Sequence, residues 1–333
     1  MGELAERREQ TRNRLLKLRE SLEEAEKIAA QKACVYATGS FGRGEASPHS
    51  DLDLFIVGKR DGTPRANGVE GSKLRRLDDI RIKADLIEVT REMAIPEFSG
   101  DGRYLTHYSV HDFTKTLGTP EDDVTNTFTA RLLLLLESQP LIEAGVYSEI
   151  VEEVVAAYWR DYADHKSHFM PAFLANDIMR LWRTFCVNYE ARTERAPDDE
   201  KAKGKIKNYK LKHSRLLTCY SALLSLLAIY KEAETVSPSD ALMVISQTPT
   251  ERLQWIEDRE SFGTARSTIS NLLAQYEKFL ATTNASEETL IRYFLDKEKS
   301  RQLTEDARTF GDLMFDCLKI VGDDTKFYRL LVV

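Results

Sequence analysis

The run Cys34-Val35-Tyr36-Ala37-Thr38-Gly39-Ser40-Phe41-Gly42-Arg43-Gly44-Glu45, continued by Ser50-Asp51-Leu52-Asp53-Leu54-Phe55-Ile56-Val57, decides the fold. Residues 34–38 read as a short buried strand. Gly39-Ser40 ends it in a turn and opens a brief glycine-rich helical segment, and 51–57 read as a second strand. Side chains alternate faces along a strand, so Asp51 and Asp53 point one way while Leu52 and Leu54 point into the core. Two carboxylates at i and i+2 beside a Gly-Ser turn can hold a divalent metal and a triphosphate together. Backbone N–H groups in the glycine loop suit phosphate oxygens, and carboxylate oxygens suit a hard ion.

Gly39-Ser40, ten intervening residues, then Asp51-Leu52-Asp53-Leu54 resembles the hallmark of the DNA polymerase β-like nucleotidyltransferase superfamily. The fuller form, Gly-Ser-Phe-Gly-Arg-Gly-Glu with Ser-Asp-Leu-Asp-Leu, is most similar to the N-terminal domain of the uridylyltransferases that modify PII signalling proteins. The resemblance covers roughly residues 30–90 and fades beyond. It implies an α+β chain: a polymerase β-like domain with a mixed β-sheet and flanking helices, followed by an all-α helical domain. It also implies an NTP substrate, ATP or UTP, and two Mg²⁺ ions (Mn²⁺ as the alternative) held by Asp51, Asp53 and a third carboxylate. Gly39, Ser40, Arg43 and Gly44 then form the nucleotide-binding loop, with Arg43 read chiefly as its brace.

Composition limits the remaining choices. The chain has 333 residues, room for two domains, with 42% hydrophobic and 30% charged residues. A net charge of −7 argues against broad DNA or RNA binding, which wants a basic surface. Cys34, Cys186, Cys219 and Cys317 lie far apart and read as reduced core residues. No stretch resembles a leader or a membrane span, so the expected compartment is the cytoplasm, without membrane partners.

Residues 3–31 read as one long charged helix with Leu15, Leu18, Leu22 and Ala25 as its apolar stripe. Asp61-Gly62-Thr63-Pro64 and Asn67-Gly68 mark 58–72 as an exposed connection. Residues 81–89 (Arg-Ile-Lys-Ala-Asp-Leu-Ile-Glu-Val) alternate well enough for a third strand. The superfamily carries its third metal carboxylate on such a strand, which nominates Asp85. Residues 96–120 read as a loop with a short helix, and 125–138 as a buried helix with Asp122 or Asp123 near its cap. The expected domain boundary is therefore 1–122 for catalysis and 123–333 for the helical part. Helices are expected at 145–165, 171–193, 207–233, 237–260 with a break near Thr248-Pro249, 264–283 and 286–321, and 192–201 as a loop.

Residues 201–215 gather seven cations in an acidic chain: Lys201, Lys203, Lys205, Lys207, Lys210, Lys212 and Arg215. With Tyr209, His213, Leu216, Leu217 and Tyr220 on the packing face, Asn208, Lys212 and Arg215 recur along a flank that can meet a triphosphate. Asn176, Asp177, Arg180 and Arg183 stand at helical spacing beside Trp182 and Phe185. They read as cleft-lining residues or as an internal hydrogen-bond network, the second being preferred. His165 and His168 lack the further ligands that would make a metal set.

Three functional classes remain. The first is an active transferase moving a nucleoside monophosphate onto a protein, an RNA 3′ end, a small molecule or a second nucleotide. A second nucleotide would make it a cyclic or linear oligonucleotide synthase, although Gly44-Glu45 departs from the motif of the cyclic type. The others are a noncatalytic nucleotide-binding partner in a toxin–antitoxin or defence pair, and a helical scaffold. Intact acidic residues favour the enzyme.

Overall fold

The computed structural model describes residues 2–64, 70–98, 102, 105–190 and 198–332. These divide into two compact units, Glu3–Arg160 and Asp161–Val333.

In the first unit α1 (Glu3–Ser21) and α2 (Glu23–Ala29) lead into β1 (Ala33–Thr38), the short α3 (Gly39–Gly42) and β2 (Asp53–Gly58). The single helix expected over 3–31 breaks at Leu22, whose backbone leaves the helical basin at ψ 28°. A small hairpin, β3 (Arg60–Pro64) with β4 (Glu70–Ser72), follows where an exposed connection was expected. Next come α4 (Arg76–Glu92), β5 (His107–Ser109), α5 (Val110–Lys115), α6 (Glu121–Val124), α7 (Thr127–Leu136), β6 (Gln139–Ile142) and α8 (Ala144–Tyr158). The main sheet runs β5-β2-β1-β6 and is mixed: β1 is antiparallel to both neighbours, and β2 is parallel to β5.

All six residues of β1 are buried, because helices cover both faces of the sheet. Val35, Ala37, Leu54 and Ile56 pack with Leu15 and Leu18 of α1, Ala25 of α2 and Ile82 and Leu86 of α4. On the opposite face Tyr36 stacks on Phe55 at 5.5 Å and meets Tyr147 of α8, while its hydroxyl donates to the Ala130 carbonyl of α7 at 3.0 Å. Pairing of β6 with β1 places 123–160 in this unit, so the expected boundary at 122/123 falls inside it. A buried knot fixes these helices. The Arg131 guanidinium grips Asp122 through both arms, at 2.8 and 2.6 Å, and donates to the Tyr158 hydroxyl at 3.0 Å.

The strand expected over 81–89 is instead the middle of α4. Ile82, Leu86 and Val89 are its buried apolar residues at i, i+4 and i+7, and this helical period outweighs the shorter alternation of Ile82, Ala84 and Leu86.

The second unit is all helical: α9 (Ala172–Glu190), α10 (Asp198–Lys210), α11 (Leu216–Ala233), α12 (Pro238–Ser246), α13 (Pro249–Glu257), α14 (Arg266–Thr283), α15 (Glu287–Leu295), α16 (Lys297–Gly322) and α17 (Lys326–Val332). The loop expected at 192–201 lies mostly outside the described residues, and its end belongs to α10. The break near Thr248-Pro249 has a local cause. Thr248 caps α13 in a capping box with Glu251, and Pro249 occupies the first turn. Among the described residues one helical run, Glu200–Ala233, is long and apolar enough to cross a membrane by length and composition, but most of its apolar window is buried inside the fold. All four cysteines are free thiols.

Between α10 and α11 the helix widens into a π turn, Leu211–Arg215. His213 sits in its middle, 1% exposed, inside an aromatic box. Its ring lies parallel to Phe279 at 4.6 Å, with Phe310 at 4.9 Å and Tyr209 at 4.5 Å. Nδ1–H donates to the Tyr209 carbonyl at 2.8 Å, closing the turn. Burial pushes the imidazole pKa down to about 4, with Lys212 reinforcing the shift, and the Tyr209 carbonyl and Asp306 opposing it. The unfolded chain takes up this proton near pH 6.5, before the folded one does. His213 therefore costs no stability above pH 6.5, and an increasing amount as pH falls toward 4. Between pH 7.5 and 4.5 the cost is on the order of a few kcal/mol. Urea unfolding followed by hydrogen exchange on α11 should show that extra loss in the wild type and lack it in His213→Phe; parallel losses would remove His213 as the cause.

Candidate active site

The site grows from the turn between β1 and α3. Antiparallel pairing puts Thr38 opposite Asp53, so the first carboxylate-bearing residue of β2 stands beside the residue that precedes the glycine loop. Gly39 takes φ +64°, a left-handed conformation that glycine adopts without strain. A Cβ there would also come within 2.7 Å of Asp53 Oδ2, so the Asp53 carboxylate lies directly over the Gly39 backbone. Asp51 precedes the strand, launched by a tight turn in which Ser47 N donates to Ser50 Oγ at 2.9 Å. Asp51 and Asp53 are both half-buried, while Leu52 between them is in the core.

The loop is tied down from three sides. Arg43, 7% exposed, donates through Nε to Glu45 at 2.9 Å and through Nη1 to Glu137 at 2.7 Å. Glu137, at the end of α7, also accepts the Gly39 N–H at 3.3 Å. From α1, Arg7 donates to the Glu45 carbonyl at 2.9 Å, Thr11 accepts the Ala46 N–H at 2.8 Å, and Arg14 donates to the Ser47 carbonyl at 2.7 Å. Gly42 packs against the Glu137 carbonyl so closely that any side chain would overlap it. Gly44 adopts φ +73°, which lets the chain turn back so that Glu45 N reaches the Ser40 carbonyl at 2.7 Å. The guanidinium of Arg43 is thus an internal brace. Ser40 stays half-exposed at the first turn of α3, whose leading N–H groups have no carbonyl four residues back to bond.

Glu137 could not be anticipated from spacing, since it lies 94 residues from Arg43. Arg7 and Thr11 did carry a signal. They fall on the buried stripe of α1 with Leu4, Leu15 and Leu18 at helical spacing, and a polar residue inside an apolar stripe needs a partner.

Asp85 is a correction. It lies on α4 rather than a strand, and its Oδ2 accepts the Ala25 N–H at 3.0 Å. Ala25 is in the first turn of α2, whose N-cap, Leu22, has no side-chain oxygen to offer. Asp85 therefore caps α2 from a neighbouring helix. Among the described residues no group of three or more His, Cys, Asp or Glu is gathered to hold a metal, and the Asp85 carboxylate is engaged with α2. The pair itself fits a hard divalent ion. Both are half-buried carboxylates flanking Leu52 where the chain enters β2, and Gly39 leaves room for the Asp53 oxygens.

Asn208, Lys212 and Arg215 belong to the helical unit. Asn208 is half-buried on α10 and Lys212 is exposed. The π turn shifts the helical register that had placed Arg215 on their flank, and its guanidinium rests 5.2 Å over the Phe185 ring of α9.

Residues 15–98 match the sequence model of the nucleotidyltransferase domain family. The first unit therefore carries a nucleotidyltransferase domain, consistent with the polymerase β-like type, and domains of this kind generally use divalent metals. No curated protein and no solved structure matches the chain.

The reassignment of Asp85 has a measurable consequence. Removing a cap of this kind costs about 1 kcal/mol. Asp85→Ala should lower the urea midpoint accordingly, while pyrophosphate release by the folded protein stays within about threefold of wild type. A loss of turnover beyond about a hundredfold in folded protein would return Asp85 to the metal site.

Proposed function

We propose that the chain is a metal-dependent nucleotidyltransferase that moves a nucleoside monophosphate from an NTP, ATP or UTP, to an acceptor and releases pyrophosphate. One observation carries this reading: the Asp53 carboxylate lies over Gly39, joining the acidic pair to the glycine loop at one point of the sheet. The family match over residues 15–98 supports it independently.

In this reading Asp51 and Asp53 hold Mg²⁺, or Mn²⁺ in its place. The bound metal supplies charge neutralisation on the phosphates. Ser40 and the backbone of Gly39–Gly44 hold the triphosphate tail, so that the α-phosphorus faces the acceptor in line. The acceptor oxygen bonds to that phosphorus as its bond to the β-bridging oxygen breaks. Arg43, Glu45 and Glu137 act through the loop, keeping its glycines in place without touching substrate. The acidic net charge and the free cysteines suit a soluble cytoplasmic enzyme.

Asp51→Asn or Asp53→Asn replaces a charged ligand with a near-isostere. Each should leave the fold intact and lower turnover on the order of a thousandfold, because metal-borne charge stabilisation is worth several kcal/mol. Incubation with each α-labelled NTP, Mg²⁺ and cell extract reads this directly. Labelling above a tenth of wild type in both variants would defeat the assignment.

Lys212 is proposed to bind triphosphate oxygens with Asn208 one turn before it, whereas Arg215, grouped with them on an ideal helix, is turned onto Phe185. A charge-assisted hydrogen bond is worth about 1.5–3 kcal/mol, so Lys212→Ala should weaken ATP binding roughly ten- to a hundredfold and AMP binding far less. Equal changes for ATP and AMP, or none for either, return Lys212 to the solvated surface.

A further inference from the structure

Strand β4 has three residues, and each is held by a side chain of β5 or α5. The Glu70 N–H donates to Nδ1 of His111 at 2.7 Å, the Gly71 carbonyl accepts the Ser109 hydroxyl at 3.5 Å, and the Ser72 hydroxyl meets Nε2 of His107 at 2.8 Å. A two-stranded hairpin is marginal alone in water, so docking contacts decide whether β3 and β4 stay in place. From β3, Arg60 pairs with Glu153 of α8. The shortest of the three β4 contacts ends on a histidine nitrogen.

His111 is 2% exposed and stands in the first turn of α5, where the capping box of Ser109 and Asp112 fixes its backbone. Nδ1 accepts the Glu70 N–H, which puts the ring proton on Nε2. Nε2 is buried without a hydrogen-bond partner. A second proton has one place to go, Nδ1, where it would face the Glu70 N–H, donor against donor. The imidazolium therefore breaks the bond that the neutral ring makes. The Ser72–His107 bond survives either state, because a hydroxyl both donates and accepts.

The charges around His111 act in the same direction. Burial lowers its pKa, Arg60 of β3 and Lys115 of α5 lower it further, and Glu70 and Asp112 oppose them. Of the helices packed against α5, α7 brings Arg131, paired with Asp122, and α8 brings Glu149 and Glu153, paired with Lys59 and Arg60. With the hairpin undocked, His111 takes up its proton near the ordinary pH 6.5; with it docked, the ring resists. Docking is therefore at full strength above pH 6.5 and weakens as pH falls toward the lowered value.

We propose that His111 is a proton-operated latch: neutral, it holds the β3–β4 hairpin on α5, and protonated, it releases β4. The latch sits at the Gly58 end of β2, which pairs with Ser109, while Asp53 begins the other end. It works whether or not the chain transfers nucleotides.

Hydrogen exchange on the full chain, corrected for the intrinsic effect of pH, tests it. Between pH 7.5 and 5.5 the Glu70 amide of the wild type should lose protection by up to roughly tenfold, while β1 amides keep theirs. In His111→Asn the side-chain oxygen can accept the same N–H and does not titrate, so protection at Glu70 should be equal at both pH values. His111→Leu, with no acceptor, should be weakly protected at both. Ring ¹⁵N shifts of the wild type need no variant to fold: Nδ1 should be bare at pH 7.5 and gain its proton in step with the loss at Glu70. Unchanged protection in the wild type at pH 5.5 would overturn the latch. So would equal losses in wild type and His111→Asn, equal losses at Glu70 and in β1, or an Nδ1 already protonated at pH 7.5.

Discussion

The Arg43 guanidinium, buried between Glu45 and Glu137, is the constraint on which the glycine loop depends. A charge in that environment is costly unless paired, and breaking such a pair by removing one partner costs about 3–5 kcal/mol. Two carboxylates and the Gly39 N–H converge on one end of α7, so the loop, the last turn of that helix and the strand β1 are held as one piece. That rigidity matters at the site because Asp53 is positioned by pairing with Thr38, one residue from the loop. Moving the loop would change the distance between the acidic pair and the backbone that faces it. Catalysis by positioning tolerates little of that movement.

The strand-turn-strand unit was legible because it is local. Residues 33–58 contain the buried strand, the glycine that must take positive φ, and the acidic alternation, all within one hairpin-like pairing. The rest of the sheet was not legible, for a physical reason. β5 has three residues and β6 four, too few for any period to register, and Pro140 in β6 reads as a breaker although an edge strand accepts it. Residues 81–89 misled in the other direction, since Ile82 and Leu86 satisfy both a period of two and a period near four. The wider window from Arg76, with Asp78 and Asp79 in the first turn and seventeen residues of continuous helix, resolves it.

The helical unit shows the same division between composition and geometry. Most of its helices were readable from apolar periodicity and from the break at Thr248-Pro249, whereas the start of α10, the break at Asp296 between α15 and α16, and the short α17 were not. The π turn at Leu211–Arg215 was not, because nothing in Lys-His-Ser announces an extra residue in a helical turn. Its cause is tertiary: the His213 ring has to reach Phe279 and Phe310, and the Nδ1–H bond to Tyr209 keeps the widened turn closed. One inserted residue rotates α11 about the helix axis relative to α10. Lys212 thereby stays in solvent while Arg215 turns onto Phe185, and a flank that looks continuous on an ideal helix is split.

Charge distribution gives the last constraint on what such a chain can bind. The excess of acid over base is spread along the sequence, whereas cations gather at 201–215 and again as the Arg180–Arg183 pair. At physiological ionic strength the field of an exposed charge decays over about 8 Å. A ligand of mononucleotide size feels the two or three groups it touches and little of the distant acidic surface. A long polyanion would cross many such lengths and meet that repulsion throughout. Local cations on a globally acidic surface therefore select small phosphorylated ligands by size as well as by chemistry.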